Sequence, residues 1–107
     1  MTPENLEKIL KKVKQNASIP ENVSVYDEQI TDLIPGAIIE MRTGGVPKSI
    51  VDECSPSVII TASHYICYEL DGYIDSIKNA DWHLRQFERS VFRLSQEKEG
   101  DTLGGLV

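Results

Sequence analysis

The sequence predicts an all-α domain, a small bundle of four main helices with a C-terminal tail. Three patterns predict it. Apolar residues recur at steps of three and four over four separate stretches, helix-capping residues stand at the start of most of them, and no pair of alternating apolar-polar segments is available to make a sheet. The chain has 107 residues. That is one domain, able to bury about two-thirds of its unfolded surface without a disulfide. Residues 1–97 form the expected helical domain and 98–107 the expected flexible tail.

The first helix is expected over 3–16. Thr2 is placed to cap it, Pro3 suits the first helical position, and Glu4 meets the positive end of the helix dipole. Leu6, Ile9, Leu10 and Val13 form one apolar stripe with lysines opposite, read as a solvated face. "NASIPEN" then stops the helix.

The second helix is expected over 25–43. Ser24 followed by Asp27 resembles a capping box. Ile30, Leu33, Ile34, Ala37, Ile38 and Met41 follow at steps of 3, 1, 3, 1 and 3, and that phase passes through Pro35 and Gly36 without resetting. A turn would reset it, so the expectation is one helix kinked at Pro35 and ended by Gly44 or Gly45.

The third helix is expected over 49–70, with Pro56 giving either a kink or a short break. Ser49 with Asp52, and Ser55 before Pro56, are two further capping signals. Ile50, Val51 and Cys54 make a stripe before the proline. Ile59, Ala62, Ser63, Ile66, Cys67 and Leu70 make one after it. Small and apolar residues surround 58–67 on nearly every side, which marks the most buried helix of the bundle. "SVII" alone would suit a strand, but it has no partner. "DGYIDSIKNAD" reads as a loop. The last helix is expected over 80–97, with Leu84, Phe87, Val91 and Leu94 inside and Arg85, Arg89 and Arg93 on a charged outer face.

Catalysis finds little support. His64 and Cys67 stand three apart on the central helix and could form one edge of a metal site. No second pair completes it, because Cys54 is thirteen residues away and His83 belongs to another helix. Cys67 with His64 as base fares no better, since neighbours on one helix rarely aim at a common substrate atom. Asp52, Glu53, Asp71 and Asp75 are better read as helix-end and loop carboxylates than as an acid/base pair. "TGG" lacks the lysine and spacing of a phosphate loop. No catalytic residue, metal or cofactor is expected.

The formal net charge is −6, unevenly spread. Residues 1–20 carry four lysines against two glutamates, whereas 21–75 carry ten carboxylates against Arg42 and Lys48. Such a chain is repelled by phosphate, which argues against sequence-independent DNA binding. Two cysteines, no signal-peptide pattern in "MTPENLEKILKK" and no long apolar run give the expectation of a soluble protein made inside a cell, without a membrane segment.

The order of these segments resembles the phage head–tail connector proteins, small helical adaptors beneath the portal. The resemblance rests on a lysine-containing first helix, on "YDEQITDLIPGAIIEMRTGGVP" as an acidic helix with a glycine stop, and on the central helix followed by "ADWHLRQFERSVFRLSQEKE" as the closing helix. It covers most of residues 4–97; Pro35 and Pro56 depart from the plainer helices usual there. It implies a structural virion protein at the head–tail interface, made in the host cytoplasm and assembled as a homo-oligomeric, dodecameric ring. Portal protein and a stopper or tail-completion protein would be its partners, and DNA would pass through the channel without sequence-specific binding. By that analogy Leu103, Leu106 and Val107 on the tail would anchor to the portal, Asp71 and Asp75 would face the channel, and Arg85, Arg89 and Arg93 would meet neighbouring subunits. The rival expectation is a small acidic helical regulator, inhibitor- or antitoxin-like, that binds a host or phage protein.

Overall fold

The computed structural model describes residues 1–97. They form five helices and no strand: α1 (Pro3–Asn16), α2 (Asp27–Thr43), α3 (Lys48–Glu53), α4 (Pro56–Glu69) and α5 (Ala80–Ser95). Four are long and α3 is a single short piece, so the four-helix bundle stands. None of the described helices is long and apolar enough to cross a membrane.

The ends of α1 follow from its sequence. Thr2 Oγ1 accepts the Asn5 N–H at 3.2 Å, and Pro3 occupies the first turn, where its missing donor has no helical partner in any case. At the other end Ile19 N–H bonds Lys14 O at 2.8 Å and Ser18 N–H bonds Gln15 O, with Ser18 in the left-handed region at φ 59°. This doubly hydrogen-bonded stop reverses the chain and brings Ala17 and Ile19 into the core.

Helix α2 runs unbroken through Pro35, as the uninterrupted apolar phase requires. Ile30, Ile34, Ala37 and Met41 are fully buried, Leu33 and Ile38 lie half-buried beside them, and Pro35 faces solvent. An exposed position lets water serve the backbone carbonyl that proline leaves without its helical partner. The helix starts at Asp27, two residues later than the 25–43 expectation. Ser24 is not its side-chain cap; its carbonyl instead accepts the Asp27 N–H in a turn. At the far end Gly44 is the cap and Gly45, at φ +98°, takes the left-handed position that glycine adopts without strain. Val46 N–H to Met41 O and Gly45 N–H to Arg42 O, each 3.0 Å, close the helix.

The expected helix over 49–70 is two helices. Cys54 turns left-handed at φ 50°, ψ 49°, and Ser55 is extended with its Oγ accepting the Val58 N–H. Proline disfavours helical backbone at the residue before it, and Ser55 is a ready N-cap, so Pro56 begins a new helix instead of kinking an old one. The Ser49–Asp52 capping box does not form either. Helix α3 begins one residue earlier at Lys48, and Asp52 pairs with Lys48 Nζ at 2.7 Å. That hydrogen bond holds the Asp52 carboxyl below its ordinary range.

Helix α4 is the centre of the bundle, packing against α1, α2 and α5. Val58, Ala62, Ile66 and Cys67 are fully buried. A polar seam crosses the α1–α4 interface: Asn16 Nδ2 donates to Ser63 Oγ at 2.7 Å, and Ser63 Oγ donates to Ile60 O. The connection between Leu70 and Asn79 is a loop, yet Ile74 and Ile77 are buried and Ser76 Oγ donates to Ala17 O, which pins the loop to the end of α1. Helix α5 ends at Ser95, two residues short of 97. One lysine of the α1 face expected to be solvated is 5% exposed: Lys14 Nζ lies 2.7 Å from Asp27 Oδ1 and donates to Glu21 O, tying α1 to the start of α2.

Two glycines should respond oppositely to alanine. A Cβ on Gly44 would overlap Val91 Cγ1 on α5, whereas one on Gly36 would meet only Tyr65 at 3.9 Å. Gly44→Ala is expected to destabilise by about 1–3 kcal/mol through overpacking against a stiff β-branched side chain. Gly36→Ala, in a helix interior with room to spare, is expected to stabilise by about 0.5–1 kcal/mol. Urea denaturation of both variants checks the signs, and equal effects would contradict the close approach of the α2 cap, Gly44, to Val91 of α5.

Candidate interaction surfaces

The outer face of α5 carries Arg85, Arg89 and Arg93, all exposed, on the side away from the buried Phe87, Val91 and Leu94. Four-residue spacing keeps the three arginines in one stripe. Phe92 stands among them, 69% exposed, and Arg89, Phe92 and Arg93 line one shallow hollow together with Glu88 and Gln96. An exposed aromatic between arginines suits an interface better than it suits water. Asp71 and Asp75 are both exposed in the loop after α4. Leu103, Leu106 and Val107 lie outside the described residues.

Two grooves were not expected from the sequence. One, about 240 Å³, runs between α1 and α4, with Lys8, Lys11 and Lys12 on its rim and Pro56, Ile59 and Ile60 beneath. A smaller hollow between α4 and α5 shares Ile60 with it and reaches Arg93, which in turn borders the Phe92 hollow. The three adjoin one another across α1, α4 and α5; the α1–α4 part is a basic furrow with an apolar floor, whereas the outer parts also carry Glu97 and Glu88. The other groove, about 320 Å³, lies between α2 and the end of α4, lined by Asp32, Glu69, Leu33, Leu70, Gln29 and Tyr73. It is acidic, and its tyrosine is 71% exposed. The apolar stripes mark Leu33 and Ile59 as core, and both are half-buried; only the helix arrangement shows that they border grooves.

In the sequence His64 and His83 stand apart, on different helices. The structure joins them. Their Nδ1 atoms are 2.9 Å apart, one donating and the other accepting. Trp82 packs edge-on against both rings, at 5.4 Å from His64 and 5.1 Å from His83. Both imidazoles are buried. Burial, then the neighbouring His83 and Lys12, pull the His64 pKa down to about 4, and burial lowers that of His83. The pair is therefore neutral at physiological pH, and its geometry pins α4 to α5. Cys67, on the same helix as His64, is fully buried and its thiol is pushed up to about 12. A thiol so buried is a poor nucleophile. Among the described residues no three His, Cys, Asp or Glu side chains gather as a metal site would require.

Comparison with known proteins adds no neighbour: no family model, no curated protein and no solved structure matches the chain.

Proposed function

We propose that the chain is a head–tail connector subunit of a tailed phage, which joins a ring of like subunits beneath the portal, extends the DNA channel and offers a platform to the next neck or tail protein. The observation that supports this most is the order of elements. A lysine-containing α1, a long α2 closed by a glycine stop, a buried central α4 and a closing α5 follow one another in the order on which the resemblance rests. The surface agrees with a structural role: its distinctive features are grooves and stripes that pair exposed apolar side chains with charge. A ring also multiplies the −6 of each subunit, and a negative lumen lets DNA slide without sticking.

In this reading Asp71 and Asp75 face the channel, and both are exposed as that role requires. Reversing them to lysine is expected to slow DNA packaging or ejection in assembled particles, because a positive ring would hold phosphate. Unchanged packaging and ejection would remove the two aspartates from the channel. The tail is the portal anchor in this reading, through Leu103, Leu106 and Val107. Deleting residues 98–107 is expected to abolish capture by a portal from the same source while leaving the helical circular-dichroism spectrum in place.

A further inference from the structure

The basic furrow and the acidic groove are complementary in charge and each has an exposed apolar floor or wall. Lys8, Lys11 and Lys12 rim the furrow over Ile60, with no carboxylate in that part of its lining. Asp32 and Glu69 border the groove beside Leu33 and Tyr73, with no cation in its lining. On a chain whose net charge is −6, three lysines on one groove are a local exception. We propose that the furrow is covered by the acidic face of a second copy of this chain, with the exposed Tyr73 and the Leu33 beside it meeting Ile59 and Ile60 of the other copy, and Asp32 and Glu69 meeting the α1 lysines. This rests on the ring reading and deepens it by naming the two surfaces that neighbours share.

The placement of the surfaces fixes the kind of assembly. Ile60 and Glu69 are nine residues apart on α4, a rotation of about 180° and a rise of about 14 Å. The two surfaces therefore lie on opposite sides and at opposite ends of the central helix. A copy that covers its neighbour's furrow leaves its own furrow open, so contact propagates head to tail, as a ring where the rotation between neighbours closes and as a filament where it does not. Two copies related by a two-fold axis would have to join furrow to groove twice across one interface, which surfaces on opposite sides of α4 do not allow.

Light scattering of the full chain over a range of concentration and salt tests this, with two variants whose surfaces are reversed separately. One carries Lys8→Glu, Lys11→Glu and Lys12→Glu; the other carries Asp32→Lys and Glu69→Lys. All five positions are exposed or half-buried on helix faces, and circular dichroism reports whether each variant keeps its helices. The wild type is expected to gain mass with concentration and to lose it with salt. Each variant alone should associate about tenfold more weakly or worse, because both of its surfaces then carry one sign. An equimolar mixture should regain the mass, because every furrow again finds a groove of opposite charge. A wild type that stays monomeric at every concentration overturns the second copy as occupant, while capture by portal would still uphold the connector reading. Self-association that both variants retain overturns the assignment of these surfaces and leaves the ring standing.

Discussion

Ile66→Ala is expected to destabilise the protein by about 2–5 kcal/mol, as truncation of a fully enclosed core side chain does. Ile66 is fully buried near the middle of α4, and α4 touches α1, α2 and α5. Removing three carbons there withdraws apolar contact from the hub of the bundle and leaves a cavity that three neighbouring helices cannot all move to fill. The urea midpoint should fall without a change in slope, since the same surface is exposed on unfolding. Ile39→Ala is the matched control. Ile39 is 61% exposed on α2, so its loss should change stability by no more than about 0.5 kcal/mol. Similar losses at the two positions would contradict the central place of α4.

Acid should weaken the fold before the carboxylates titrate, through the His64–His83 pair. The sign follows from which state holds more protons. In the unfolded chain an imidazole takes up its proton near pH 6.5, whereas folded His64 does so only at about 4 and folded His83 also below its ordinary value. Stability from the pair is thus complete above about pH 6.5 and is lost as pH falls toward 4, where folded His64 at last protonates. Between pH 7.5 and 5 the His64 share alone is on the order of 2 kcal/mol. Two protonated rings would also have no acceptor nitrogen left for the Nδ1–Nδ1 hydrogen bond. Urea denaturation at pH 7.5 and at pH 5 measures the difference. The His64→Gln variant should be less stable than wild type at pH 7.5 but markedly less sensitive to the drop in pH. A variant with the wild-type pH response would show that another group carries the acid sensitivity.

Much of the fold is legible in the sequence because it is written in local periodicity. The steps from Ile30 to Met41 keep helical phase across Pro35, and α2 is one helix there. Thr2-Pro3 and Gly44-Gly45 carry their capping geometry in their residue types. What escapes the sequence is set either by backbone choices that no residue type announces or by contacts between distant segments. Cys54 and Asn79 both adopt left-handed backbone; the first separates α3 from α4 and the second starts α5. A cysteine in that conformation gives no warning, so the break at Ser55 can be foreseen only as one of two outcomes.

The candidate surfaces are less legible than the fold for the same reason. In α5 the periodicity marks Leu84 as an inside residue, but Leu84 is half-buried and His83 is inside. A step of one residue turns a helix by about 100°, and that rotation carries His83 onto His64. The lysines of α1 look alike in sequence. Lys14 is drawn inside by Asp27 and the Glu21 carbonyl, whereas Lys8, Lys11 and Lys12 border a furrow that exists only because α4 lies alongside. The arginine stripe of α5 is readable from spacing alone, and all three arginines are on the outer face.

The connector reading stands or falls most directly on the mass of the particle that the full chain forms with a portal from the same source, measured by light scattering beside the chain alone. Stoichiometric capture is expected, with many copies per portal ring, and capture should be lost when residues 98–107 are removed. A chain that remains a monomer or dimer and ignores the portal would contradict the connector reading, and would favour a small acidic regulator that binds a single protein partner.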